Sequence, residues 1–141
     1  MTPDAPLHET AQRIYYDDTD AAGVVYHANY LKYYERARTE WLRSAGFDQP
    51  SLARDHGIFF AVVRAEVDYL KPARLDDLLR VAVVGAAPKR ASVRIDQSIR
   101  RGDLTLSTAR ITLVCVREQG GAPRSAAFPE ALAALMRAQA R

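Results

Sequence analysis

Two carboxylates, Asp18 and Asp20, stand one residue apart, and a histidine, His27, follows seven positions after the second. Between them lies Ala21-Ala22-Gly23, and tyrosines 16, 26 and 30 punctuate the same stretch. A helix pattern begins just beyond the histidine, so Asp20 sits in a loop close to a helix N-terminus. Backbone N–H groups are unpaired there and receive negative charge. A carboxylate can activate water or attack a carbonyl, and free amides can hold the oxyanion that results. These residue types at this spacing suit acyl chemistry, although an acidic residue before a helix is in most proteins a turn former or a cap. Asp18 fits that simpler role, as a carboxylate bonding loop amides.

The elements that must position these groups follow from the pattern. Residues 12–17 read as a short first strand of β-favouring residues. Tyr30, Tyr33, Tyr34, Ala37, Trp41, Leu42 and Ala45 recur at the three-and-four spacing of one helix face, with Arg43 and Gly46 closing the helix. Lys32, Glu35, Arg36, Thr39, Glu40 and Arg43 fall away from that stripe. After a loop containing Pro50, the chain is expected to form four strands. Val63 to Tyr69 and Ala91 to Ile99 alternate with polar residues; Leu78 to Val84 is a nearly continuous apolar run. The last strand spans about Leu104 to Val116. Gly85 with Pro88 is expected to turn the chain, Gly120-Gly121 with Pro123 to form a loop, and Pro129 to open a terminal helix. One apolar helix and one sheet with short connections imply an α+β layer with antiparallel strands.

With 141 residues, 48% apolar and 26% charged, the chain reads as a single domain, 1–141, with its core at about 12–130. Residues 1–10 show neither a basic segment nor an apolar stretch, and no run approaches the ~20 apolar residues of a membrane span. A cytoplasmic protein without a membrane span is expected. Cys115 is alone, which excludes a disulfide framework, and it lies in a run that reads as a buried strand. No Gly-x-Ser-x-Gly elbow, phosphate-binding glycine loop or His-Glu-x-x-His is present. No metal and no cofactor are called for. Net charge is only +3, and the basic residues are not interleaved with exposed aromatics, so nucleic acid is not an expected partner.

The order of elements resembles the hotdog fold, a curved antiparallel sheet of about five strands wrapped around one long central helix. The match is carried by Tyr15-Tyr-Asp-Asp-Thr-Asp-Ala-Ala-Gly-Val-Val-Tyr-His-Ala-Asn-Tyr and Tyr34-Glu-Arg-Ala-Arg-Thr-Glu. Ala73-Arg-Leu-Asp-Asp and Val114-Cys-Val-Arg add to it. More closely, the chain is similar to the acyl-CoA thioesterases of the 4-hydroxybenzoyl-CoA thioesterase superfamily, and within them to the branch associated with the bacterial Tol–Pal system. That resemblance implies hydrolysis of an acyl-CoA to free acid and coenzyme A. It implies Asp20 as catalytic carboxylate and the backbone N–H at His27 as a donor to the thioester carbonyl. Tyr16, Gly23, Tyr26 and Tyr30 complete the expected substrate-binding surface. Glu35 is the rival carboxylate, since some hotdog thioesterases use a helix glutamate, but it lies on the polar side of the stripe.

Lys89-Arg90, Arg94, Arg100-Arg101, Lys71 and Arg74 read most simply as solvated surface, with phosphates of coenzyme A or of an acyl carrier protein's phosphopantetheine as the functional alternative. Two other activities stay open. The fold also supports hydratases, which pair histidine and carboxylate in other sequence contexts. A non-catalytic module binding an acyl carrier protein or a cell-envelope complex is the other. The resemblance implies a homodimer with shared sites, often doubled to a homotetramer, and an open sheet edge invites such pairing.

Overall fold

A computed structural model describes residues 5–141. In chain order the elements are β1 (His8–Arg13), a 3-10 turn (Tyr16–Asp18), α1 (Asn29–Ser44), α2 (Gln49–His56), β2 (Ile58–Tyr69), β3 (Leu78–Pro88), β4 (Ser92–Arg101), β5 (Leu104–Gln119), β6 (Ala122–Ser125) and α3 (Glu130–Ala138). Five strands form one antiparallel sheet in the order β1-β3-β4-β5-β2, with short β6 added beside β5. The sheet curls around α1, which is the hotdog arrangement expected from the sequence. No helix among the described residues is long and apolar enough to cross a membrane.

The core is the interface between α1 and the inner face of the sheet. Tyr33, Tyr34, Ala37 and Trp41 are buried with Val93, Ile95, Ile99, Leu106 and Ile111. α3 closes one end: Leu132 and Met136 are buried, and the Trp41 indole N–H donates to Gln139 Oε1 at 3.0 Å. The helical stripe also contains Arg38, which the apolar pattern left unassigned and which is only 8% exposed. Its guanidinium donates to Gln97 Oε1 at 3.0 Å, and the Gln97 amide donates in turn to the Tyr34 carbonyl at 3.1 Å. A buried cation is tolerated when its donors are met in this way. Cys115 is buried in β5, as its sequence context suggests, and burial pushes its thiol pKa up, the reverse of an activated nucleophile.

Several expectations need correction. The first strand is His8–Arg13, not 12–17. The Asp18 carboxylate accepts the Tyr15 N–H at 2.8 Å and turns the chain into the 3-10 segment before Tyr16 can pair. The Pro50 loop is the helix α2: Asp48 caps it, accepting from the Ser51 N–H at 2.8 Å, and Gly57 ends it in the left-handed conformation. Gly85 is not in a turn but at a register shift within β3. A Cβ there would meet Arg141 Cβ at 3.1 Å, so the glycine makes room for the C-terminal segment. Pro123 lies within β6, and the β3–β4 turn falls at 89–91 instead. Finally, the alternation of β2 buries one face only in part: Ile58 is buried and Phe60 and Val67 pack on the core. β2 is an edge strand, and Phe59, Val62, Val63 and Tyr69 are all exposed.

Candidate active site

Asp18 organises the approach to the site. Beyond its side-chain bond to Tyr15, its carbonyl accepts both the Tyr26 N–H at 3.0 Å and the Asn29 side-chain amide at 2.9 Å. One residue on, Thr19 bridges Val25 in antiparallel fashion. The Asp20 N–H donates to the Val24 carbonyl at 2.9 Å, and the Gly23 N–H to the Asp20 carbonyl at 3.0 Å. Ala21-Ala22-Gly23 is therefore a three-residue hairpin loop of the kind that ends in a left-handed residue. Gly23 has φ +79°, and an added Cβ would meet nothing within 4 Å. The glycine serves the backbone angle and not a close approach.

This hairpin fixes the Asp20 side chain. Oδ1 accepts the Ala22 N–H at 2.9 Å, an Asx turn that orients the carboxylate. Oδ2 has no donor among the described residues and faces solvent, so it is available to water or to a carbonyl carbon. The return arm of the hairpin docks on the segment before β3, where Val24 bridges Arg74 and the Val25 N–H donates to the Ala73 carbonyl at 2.8 Å. The Ala73 N–H donates to the Tyr30 hydroxyl at 3.3 Å, linking that segment to α1. Tyr30 is buried, and burial raises its pKa, so it stays a neutral hydroxyl. Beneath the loop, the Tyr33 hydroxyl is buried and bonded to nothing among the described residues; burial, then the neighbouring Asp18 charge, pushes its pKa up.

The helix start supplies the second half of the chemistry. Asn29 and Tyr30 donate their N–H groups to the carbonyls of Tyr26 and His27 at 2.9 and 3.2 Å. The N–H groups of His27 and Ala28 donate to no acceptor among the described residues. α1 also has no side-chain cap, Ala28 occupying the capping position. Two adjacent free amides at an uncapped helix start are able to receive negative charge. The His27 imidazole is exposed and packs edge-on against Tyr26 at 4.8 Å and Tyr69 at 6.1 Å between ring centroids.

Thus Asp20, Gly23, Tyr26 and His27 lie on one hairpin-and-helix junction, with Tyr30 beneath it. Tyr16 lies on the neighbouring 3-10 turn, 82% exposed. Glu35 stands apart, exposed on α1 beside Arg38 at a small 140 Å³ cleft. It is roughly 9 Å along the helix from Asn29 at the usual rise per residue. A 680 Å³ groove on the outer sheet face, bordered by Glu66, Asp68, Asp96, Arg100 and Arg110, includes none of the expected site residues. Sequence reasoning missed Tyr69, whose hydroxyl donates to the His27 carbonyl at 3.1 Å, and it missed the free Ala28 amide.

Similarity to known proteins extends across this segment. The thioesterase-like superfamily model matches residues 15–136. Acyl-CoA thioesterase YbgC of Haemophilus influenzae is 43% identical over 118 residues, covering 84% of this chain and 85% of that protein. Acyl-CoA thioester hydrolase YbgC of Escherichia coli is 42% identical over 123 residues, covering 86% and 90%. Among solved structures, a probable thioesterase from Bartonella henselae superposes with a TM-score of 0.79 at 37% identity, covering 86% of this chain and 98% of that one. The matched segment takes in the hairpin, the helix start and every strand of the sheet except β1, and by it this chain belongs to the thioesterase-like superfamily.

Proposed function

We propose that this protein is an acyl-CoA thioesterase in which Asp20 is the catalytic carboxylate and the helix start at His27 polarises the thioester carbonyl. The observation that carries the reading is the pairing, on one junction, of a carboxylate with one free oxygen and two adjacent free amides. The thioester oxygen accepts from the His27 and Ala28 N–H groups, which hold the negative charge as the carbonyl carbon becomes tetrahedral. Asp20 Oδ2 either takes a proton from the attacking water or attacks the carbon itself, giving an anhydride that water then opens. In both routes the C–S bond breaks, the acid is released, and the coenzyme A thiolate leaves and is protonated. The exposed His27 imidazole is the side chain proposed to assist that sulfur. Tyr16 and Tyr26 flank the junction as apolar walls with polar tips, suited to the pantetheine arm.

A single chain leaves this junction open to solvent, and the exposed apolar edge of β2 ends beside it at Tyr69. The working form is accordingly a homodimer, or a tetramer built from it, in which a second copy covers the acyl group. The free thiol and acid products require no cofactor, and the cytoplasm, where coenzyme A thioesters are held, is the compartment that suits the reaction.

Thiol release across a panel of acyl-CoA thioesters, run beside Asp20→Asn, tests the reading. Asparagine keeps an oxygen for the Ala22 N–H, so the hairpin stays intact while the base is removed. Loss of about 10²–10⁴ in rate with unchanged folding is expected. Undiminished turnover in Asp20→Asn would assign the chemistry to another carboxylate.

A further inference from the structure

The two free amides point usefully only if the peptide planes at 26–28 are held still, and α1 has no side-chain cap to hold them. The bonds from the Asp18 carbonyl anchor the flanking residues Tyr26 and Asn29. The carbonyl of His27, which shares a peptide plane with the Ala28 N–H, accepts the Tyr30 N–H at 3.2 Å within the helix start and a second bond from a different part of the molecule. Tyr69, the last residue of β2, donates its hydroxyl to that carbonyl at 3.1 Å from 42 positions along the chain. Its ring meets Tyr30 edge-on at 5.0 Å and the His27 imidazole at 6.1 Å. Tyr69 is 47% exposed, so core packing does not account for its placement.

We infer that Tyr69 is a positioning residue for the reaction: its hydroxyl locks the His27–Ala28 peptide and its ring sets the angle of the His27 imidazole. This inference rests on the thioesterase reading. The bond acts in two ways. Accepting a hydrogen bond at the carbonyl fixes the plane of the peptide, so the Ala28 N–H keeps its aim when the substrate oxygen arrives. It also draws electron density toward the carbonyl oxygen and strengthens the N–H at the other end of the same peptide as a donor, as hydrogen bonds in chains reinforce one another. Burial raises the Tyr69 pKa, which keeps the hydroxyl protonated and donating. Because Tyr69 closes the edge strand β2, movement of that strand is transmitted to the oxyanion donors through one side chain.

Tyr69→Phe keeps the ring and deletes only the donor. The expected result is a roughly tenfold to hundredfold lower kcat, the order produced by a small misplacement of reacting groups, with KM within about twofold and an unchanged melting temperature. In parallel, ¹³C- and ¹⁵N-labelled protein reports the bond without any substrate. In Tyr69→Phe the His27 carbonyl ¹³C and the Ala28 amide ¹⁵N resonances shift upfield, while those of β3 and β4 stay in place. An active wild type whose Tyr69→Phe variant keeps full kcat overturns the inference. So does a variant whose losses in kcat come with a lowered melting temperature and resonance changes across the sheet, which mark a structural role. A wild type that releases no thiol from any substrate overturns the thioesterase reading itself, and is told apart because the Tyr69-dependent resonances still shift.

Discussion

Asp20 is held by its own loop: one oxygen accepts the Ala22 N–H and the other has no donor among the described residues. That division depends on the hairpin closing at Gly23, whose φ of +79° an L-residue adopts only under strain. Replacing Gly23 by alanine introduces no clash, since nothing lies within 4 Å of the new Cβ. The cost is therefore conformational, about 1 kcal/mol of stability. Relaxation of the loop to a more negative φ would release the Asx turn and turn the carboxylate away. Gly23→Ala is expected to lower thiol release by roughly tenfold, the scale of a small misplacement at a reacting centre, with a melting temperature only a few degrees lower. Kinetics beside thermal melts would check both. Asparagine at position 23, which tolerates the left-handed region better than alanine, should recover part of the rate.

At the scale of elements, α1 carries the site and α2 carries none of it, yet α2 leads straight into the edge strand β2. The cap of α2 is Asp48, which accepts from both the N–H and the hydroxyl of Ser51 at 2.8 and 2.9 Å. Those bonds, backbone first, hold its pKa below the ordinary carboxylate range, with desolvation opposing and nearby arginines assisting. A folded-state pKa depressed in this way means that the charged form stabilises the native state. The contribution is complete above the unfolded carboxylate pKa of about 4 and disappears as pH falls through the lower folded value. Asp48→Ala should therefore melt below the wild type at pH 7. The gap between the two should narrow toward zero in strong acid, where the wild-type cap is itself protonated. A gap that stays constant from pH 7 to pH 2 would mean that the charge of Asp48 plays no part in capping.

Among the described residues, the sheet has one long unpartnered edge, at β2. β2 runs for 12 residues, pairs only with β5, and exposes Phe59, Val62, Val63 and Tyr69. Its second half also exposes the charged Arg64, Glu66 and Asp68, whereas Phe59 to Val63 carries no charge and is the stretch another strand would cover. Covering it with a second copy would also bring protein over the open junction at Asp20 and His27, which couples assembly to activity. Val63 is 60% exposed in the single chain, so lysine there should leave the chain itself folded. In the proposed dimer the added charge would face the partner without a counter-ion. Val63→Lys is expected to sediment as a monomer and to lose roughly tenfold or more of its thioesterase activity through the disordered substrate cover. A fully active monomer would show that each chain carries a complete site.

The sequence by itself determined the helix α1 and the turn that precedes it. The face of α1 was readable because one sheet buries it, and burial on one side leaves a three-and-four period in the residues Tyr30 to Leu42. The turn from Asp20 to Gly23 and the helix start just after His27 were readable because both are local events, set by neighbours in the chain. The cap of α2 was also written locally, in Asp48 and Ser51, but a helix of 8 residues has too few turns for its period to stand out against Pro50. Other features had no local signature. The alternation of β2 promised a buried face, and its place at the edge of the sheet leaves that face buried only in part. Arg38 can be buried because Gln97 Oε1, 59 residues away, accepts a hydrogen bond from its guanidinium. Which amides stay free at the helix start, and which carbonyl Tyr69 secures, depend on acceptors and donors brought in from distant strands. Spacing along the chain can name a donor, but only the tertiary structure decides whether its partner is another residue or the substrate, because hydrogen bonds are settled by proximity in space.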